Sequence, residues 1–458
     1  MPAYTRTIRR AEPCRYKVTV QLPSTGYTAG DAWGRTCVTA ISESSCPIIH
    51  IKHKSSRSMS ASSQGTETDE SSEQHSSLRR DLPARISRLF AAEGLDATHL
   101  EYVGQGLSNL VFSFRCALPG SSVDVERLVI RVQKAPVDIY IQQQMVNLGA
   151  TLRFVRQTLP MIPRILRMDI TSDNDLQRAY MIMSYLEGRS LDEVLRTVSS
   201  AEGIHVCKKV AKVLHEIQSI TFTGTGPLHA VPDNLERAKI GHFEDYDQSL
   251  PTLDESTQPL LSSWLSLLFS WRIEMEDEAG IELMHLKELQ HMLSQMVESG
   301  YFTEYDRLDR TVLSHSDLHG GNILLDRGHD GEWSVTGIID WENARAMPRV
   351  LAPCSLEWMW SDELYQDGDL AFLWTGDLDF VSEANAAGIS VENQQLKEAI
   401  DEYMASMDLA YMDIVYGRGR WIRRIAKSAI HGWRDNRDDT MTEWLIEEWA
   451  KHKPLSTT

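Results

Sequence analysis

The chain has no CxxC pair and no group of histidines and cysteines at zinc-finger spacing; Cys14, Cys37, Cys46, Cys116, Cys207 and Cys354 are scattered along it. This excludes a disulfide framework and a metal finger, and it favours a reducing, cytoplasmic setting. Long apolar runs are also missing. The longest, Leu260 to Trp271, is interrupted by four serines and falls short of the roughly 20 residues a bilayer span needs. No membrane association is expected. Within that run Leu260, Trp264, Leu267, Leu268 and Trp271 recur at helical spacing, which predicts a buried amphipathic helix. Positive charge is in short supply: the formal net charge is -19. Nucleic acid is therefore not an expected partner, because phosphate contacts require clustered cations. A neutral or cationic small molecule fits better. No internal repeat is present, which excludes solenoid architectures.

The 458 residues, 42% hydrophobic and 24% charged, have ordinary globular composition and enough length for two or three compact units. Residues 1–80 differ from the rest, being rich in Ser and Thr and poor in periodic apolar pattern, so a disordered tail is expected there. Basic residues outnumber acidic ones in this stretch, and the acidity of the chain belongs to residues 81–458. Arg6, Arg9, Arg10, Arg15 and Lys17 against a single Glu12 give the composition of a transit peptide without its amphipathic stripe, leaving mitochondrial import and an alternative start at Met59 open. Order is expected from about Asp81, with Pro83 at a helix start and Gly94 as its stop. Glu101 to Phe114 reads as strand, glycine turn and strand, Leu128 to Val132 and Ala179 to Leu186 as strands, and Gln142 to Thr158 as helix. Beyond Gly188 the pattern turns helical, near 191–219, 259–298, 395–415 and 420–432, with a hairpin in the middle.

That hairpin holds the chemistry. Leu313-Ser-His-Ser-Asp-Leu-His-Gly-Gly-Asn-Ile-Leu-Leu-Asp326 is followed by Ile338-Ile-Asp-Trp-Glu342. Asn322 opens an apolar strand that turns at Arg327 to Gly331 and returns through Trp333 to Ile339 before Asp340. A strand out and a strand back bring Asn322 and Asp340 to one end, where they could share a cation. Magnesium favours hard oxygen ligands and keeps waters while bridging phosphates, so a carboxamide and a carboxylate are an adequate contribution. Asp317, in the loop entering the hairpin, could accept a hydrogen bond from a substrate hydroxyl and orient it for phosphoryl transfer.

His315-x-Asp317-x-x-x-x-Asn322 with Ile339-Asp340-Trp341 resembles the catalytic and metal-binding motifs of the aminoglycoside phosphotransferase and choline kinase-like family. The resemblance extends over roughly residues 95–450. It implies an α+β, bilobal protein-kinase-like fold: a small β-rich N-lobe at 81–186 that binds nucleotide and a larger, mainly helical C-lobe at 187–458. It further implies an ATP- and magnesium-dependent phosphotransferase acting on the hydroxyl of an amino sugar, aminoalcohol or similar metabolite. By the same resemblance Asp317 is the catalytic base, Asn322 and Asp340 are magnesium ligands, and His315 braces the loop.

For the nucleotide, Gly104-Gln-Gly-Leu-Ser-Asn109 resembles the phosphate-covering loop, with Gly104, Gly106 and Ser108 as its contacts. Tyr180 to Gly188 resembles the segment joining the lobes, with Met183 and Tyr185 beside adenine or in the core. Arg131 stands where the general kinase pattern has a phosphate-binding lysine, and guanidinium can serve that role. Val132 to Arg167 contains no glutamate to hold that cation, Asp138 being the only acid. A kinase-fold protein that binds nucleotide or ligand without turnover is therefore the alternative. No activation segment ending in APE follows Asp340, which argues against a protein kinase. Glu342, Asp362, Glu363, Asp367, Asp369, Asp377 and Asp379 form either an anionic rim for a cationic substrate or a solvated acidic face. Arg420, Arg423, Arg424 and Lys427 read as helix-end or surface pairing.

Overall fold

The computed structural model describes residues 69–95, 97–106, 108–117, 125–231, 234–241, 244–245, 248–249, 260–275, 281–306, 311–352, 359, 390–431 and 436–452. The proposed tail through residue 68, Met59 included, and the acids from Asp362 to Asp379 lie outside them. The chain divides into two compact units. One falls within Met1–Gln143 and Leu166–Tyr185, the other within Gln144–Ile165 and Leu186–Thr458.

The first unit opens with helix α1 (Asp69–Ala92), which begins upstream of Asp81 and holds Pro83 in its interior rather than at its start. An interior proline costs a helix about 3 kcal/mol. Leu82, Ile86, Leu89 and Phe90 along the same helix are buried, and at roughly 1.5–3 kcal/mol for each buried side chain they outweigh it. Gly94, at φ +68°, ends the helix: its N–H reaches Ala91 O and the Leu95 N–H reaches Phe90 O at 2.8 Å. The sheet consists of β1 (Ala97–Gln105), β2 (Asn109–Ala117), β3 (Val125–Gln133), β4 (Ile165–Asp169) and β5 (Tyr180–Ser184), in the order β1-β2-β3-β5-β4. Between β3 and β4 runs α2 (Ile139–Arg156). Phe112 and Phe114 of β2 and Leu128, Ile130 and Val132 of β3 alternate onto the face that receives α1.

The second unit is mainly helical. It takes in most of α2, from Gln144 on, followed by β6 (Arg189–Ser190), α3 (Leu191–Leu195), α4 (Ser200–Gln218), β7 (Thr221–Phe222), β8 (Gly226–Val231) and β9 (Asn234–Ile240). After the short strands β10 (Glu244–Asp245) and β11 (Gln248–Ser249) come α5 (Leu261–Met275), α6 (Ile281–Glu298), β12 (Thr311–Ser314), β13 (Ile323–Arg327), β14 (Trp333–Ile338) and β15 (Arg345–Pro348). The chain finishes with α7 (Val391–Met407), α8 (Tyr411–Val415), α9 (Arg418–His431) and α10 (Asn436–His452). Ser199 splits the predicted 191–219 helix by capping α4 in a Ser-x-x-Glu arrangement, its hydroxyl accepting from the Glu202 N–H. In α5 the buried face is Leu261, Trp264, Leu265, Leu268 and Phe269, while Leu260 and Leu267 are exposed. The predicted stripe is thus rotated. Asp306 sets the rotation: its carboxylate accepts from the Ser262 N–H at 2.8 Å and hydroxyl at 3.0 Å. Arg423 is buried, and its guanidinium donates to Ile414 O and Val415 O, the open carbonyls at the end of α8. Among the described residues no helix is long and apolar enough to cross a membrane.

The hairpin of β13 and β14 is anchored on both sides. β6 pairs with β13, Leu324 opposite Ser190 and Leu325 opposite Arg189. The Trp333 indole N–H donates to Glu202 of α4 at 2.7 Å. Gly188, at φ +135°, precedes β6, and a Cβ there would lie 2.7 Å from Leu325 O and from Thr336 Oγ1. Gly188→Ala is therefore expected to destabilise the protein by about 1–3 kcal/mol, read as a lower urea midpoint with an unchanged m-value.

Candidate active site

The site grows from the end of β12. Ser316 adopts a left-handed backbone, φ 63°, and turns the chain out of the strand so that Asp317 heads the loop towards the hairpin. That loop closes in a 3-10 turn, Gly320–Asn322, where the Asn322 N–H bonds to His319 O at 3.0 Å. The side-chain amide of Asn322 then donates to Asp317 O at 2.8 Å. Only the Nδ2 end of a carboxamide can donate to a carbonyl, so Oδ1 is the end left for another contact.

The return strand is tied to the same turn. The Ile339 N–H donates to Asn322 O at 3.0 Å, continuing the ladder in which Ile323 faces Ile338. Asp340 comes immediately after, at φ 68° and ψ 52°. Asparagine and aspartate tolerate this left-handed region better than other residues with a Cβ. His315 completes the brace: its Nε2–H donates to Ile339 O at 2.9 Å, and its ring meets Trp341 edge-on with centroids 4.5 Å apart. These bonds tie the Asp317 carbonyl, Asn322 and Ile339, the residue before Asp340, to one another.

Electrostatics distinguish the groups. Burial raises the Asp317 pKa, the neighbouring Glu342 carboxylate raises it further, and His319 opposes both. Burial lowers His315 to about 4, so its imidazole is neutral in the fold. His319, unassigned from the sequence, accepts from the Gly321 N–H at 3.1 Å through Nδ1. Its sequence signal was adjacency alone: it stands two residues after Asp317 in the same loop.

Magnesium suits this donor set better than a metal that demands a full protein cage. Among the described residues no three His, Cys, Asp or Glu side chains gather as a metal site. One carboxamide oxygen and one carboxylate fit an ion that keeps waters and takes phosphate oxygens.

The nucleotide candidates lie in the first unit. Gly104 and Gly106 flank the β1–β2 turn, where the Gly106 N–H bonds to Asn109 O at 3.1 Å, and a Cβ on either glycine would meet nothing within 4 Å. Ser108 O receives the Lys134 N–H. Arg131 stands in β3 between Val111 of β2 and Met181 of β5. Met183 is buried opposite Val129. The Tyr185 backbone N–H already donates to Arg127 O, and the Arg127 guanidinium lies 3.9 Å from its ring centroid. The one acid of the α2 region, Asp138, caps the helix by accepting from the Ile141 N–H at 2.7 Å.

The model of the phosphotransferase enzyme family matches residues 100–351. Solved structures similar to this chain include aminoglycoside phosphotransferase APH(2'')-Ib with ADP, at 14% identity and TM-score 0.40, covering 80% of this chain and 96% of that one. A second is a thermostable mutant of APH(4)-Ia in ternary complex with AMP-PNP and hygromycin B, at 16% identity and TM-score 0.36, covering 74% and 96%. No protein of curated function matches.

The buried neutral His315 carries a pH signature. Unfolded imidazole takes a proton near pH 6.5, whereas the folded ring resists until about 4. Between those values the unfolded chain binds more protons, so this contribution to stability is present above pH 6.5 and is lost as pH falls. Chemical denaturation from pH 7.5 to 4.5 should show a smaller loss in His315→Gln than in wild type, since glutamine can keep the bond to Ile339 O without titrating.

Proposed function

Because the chain belongs to the phosphotransferase enzyme family, we propose that it transfers a phosphoryl group from magnesium-bound ATP to a hydroxyl of a small molecule. One observation carries this reading: a single run of hydrogen bonds links the Asp317 backbone, the Asn322 amide and the strand end that leads into Asp340. A structural hairpin has no need of an acid at each end of that run.

Asp317 is the base in this proposal. It accepts a hydrogen bond from the acceptor hydroxyl, aims that oxygen, and takes up its proton as the new bond to phosphorus forms. Partial burial supports the role by strengthening its affinity for that proton. Asn322 Oδ1 and the Asp340 carboxylate hold magnesium, which when bound neutralises charge on the phosphate oxygens. Gly104, Gly106 and Ser108 offer backbone and hydroxyl donors to the phosphates, and Arg131 adds a guanidinium. Met183 and Tyr185 are assigned to the adenine side. Glu342, close enough to influence Asp317, favours an acceptor with a cationic group such as an amino sugar or aminoalcohol.

One observation favours a second reading, nucleotide binding without turnover. Asp138 is spent as a helix cap, and α2 contains no acid to hold Arg131. ADP release across a panel of amino sugars, aminoalcohols and neutral sugars separates the two. The enzyme reading expects one acceptor well above background and a fall of roughly 100-fold or more in kcat for Asp317→Asn. Asn322→Ala should raise the magnesium concentration giving half-maximal rate, and EDTA should abolish activity reversibly. Nucleotide binding with equal background rates for every acceptor and for Asp317→Asn would select the second reading.

A further inference from the structure

Helix α2 carries no acid, yet from Gln144 on it belongs to the second unit, as does the segment that follows it to Ile165. Three contacts from this stretch reach strands of that unit. The Asn147 carboxamide accepts through Oδ1 from the Ala230 N–H of β8 at 3.0 Å. The Phe154 ring lies 5.8 Å from that of Phe222 in β7, centroid to centroid. Met161 O accepts from the Ile338 N–H at 3.2 Å, at the end of β14 and two residues before Asp340.

The first of these contacts stands where a ladder gives out. β8 pairs with β15 through Gly226 opposite Ala346 and Pro227 opposite Arg345, and the Leu228 N–H then donates to Ala344 O at 3.4 Å. Alternate N–H groups of a strand leave by the same edge, so the next donor on this edge is that of Ala230. By then β15 has ended: upstream of Ala344 the chain runs through the 3-10 turn Trp341–Asn343, which Asp340 opens. Ala230 is buried, and an open N–H there would be unfavourable. The Asn147 side chain supplies the carbonyl that the ladder lacks. The turn itself is fixed at both ends. The Ala344 N–H closes it on Trp341 O at 3.2 Å, and the Trp341 indole donates to Ile338 O at 3.1 Å. Trp341 and Ala344 are buried, while Asp340 beside them is exposed.

We propose that Asn147 is a positioning residue for Asp340. By completing the edge of β8 it fixes β8 against Ala344, and Ala344 closes the turn from which the Asp340 carboxylate is presented. Met161 holds the same turn from its other end, so the α2 segment grips it twice. The inference rests on the reading of Asp340 as a magnesium ligand, and it gives α2 a part in that site that requires no acid. Asn147 acts through the backbone of β8 and of the turn.

Amide hydrogen exchange of the full chain, and the magnesium dependence of ADP release, test it in Asn147→Ala, Asn147→Asp and Phe154→Leu. Aspartate keeps an oxygen for the Ala230 N–H, whereas Phe154→Leu loosens the packing of α2 and leaves that bond in place. In Asn147→Ala the amides from Trp341 to Ala344 should exchange about fivefold faster. The magnesium concentration giving half-maximal rate should rise about fivefold, with kcat at saturating magnesium nearly kept. Asn147→Asp should restore both, and Phe154→Leu should change neither. Faster exchange confined to Ala230, equal changes in Phe154→Leu and Asn147→Ala, or a fall in kcat with the magnesium dependence unmoved would each overturn the proposal. If no acceptor is turned over, the transfer reading fails by itself, and exchange from Trp341 to Ala344 still decides whether Asn147 holds the turn. If a thermal melt shows Asn147→Ala unfolded, Asn147→Ser is read in its place.

Discussion

The candidate site depends on a backbone carbonyl and a side-chain amide that share one asparagine. Asn322 donates through its side chain to the carbonyl of Asp317 and accepts through its own carbonyl from Ile339. Removing the side-chain bond would free the loop that carries Asp317, and removing the ladder bond would splay the strand end that carries Asp340. His315 reinforces the second of these by holding Ile339 O from below, in a pocket dry enough to keep its imidazole neutral. Such a network is made of the chain's own groups and is set before any ligand arrives.

The hairpin was legible in the sequence because its signals agree at every level. An apolar strand, a glycine-containing turn and a returning strand with Trp333 and Val335 point to one pairing, and the motif residues occupy its open end. The strands β7 to β9 were not legible. Lys239, Glu236 and His229 interrupt the alternation there, and pairing of β7 with β12, of β8 with β15 and of β9 with β8, rather than local propensity, makes these strands. Helix α10 escaped notice for a related reason: its first half, Asn436 to Glu443, is almost wholly polar, and its apolar contacts through Leu445 and Trp449 come late. The helix α5 was found but turned to the wrong face, since periodicity fixes a stripe only to within a residue and the Asp306 bonds that choose the rotation come from far along the chain. At the candidate site spacing singles out Asp317, Asn322 and Asp340 as a group, whereas the place of His319 depends on a turn whose geometry spacing does not give.

The two units divide the chemistry by composition as well as by sequence. The first carries Gly104 and Gly106 with open space above them and Arg131 within β3. The second carries Asp317 with Glu342 near enough to raise its pKa, and His319 opposes that effect. The overall charge of the chain conceals this contrast.

The left-handed backbone at Asp340 has an evolutionary corollary. That conformation is open to aspartate, asparagine and glycine at little cost and resists nearly every other side chain. A lineage could therefore exchange the carboxylate for a neutral amide through a single mild replacement, removing a charge while the surrounding architecture stayed intact. Descendants of such a chain would be well-folded molecules of this type with a different charge at that corner, and the change would leave almost no trace in their stability.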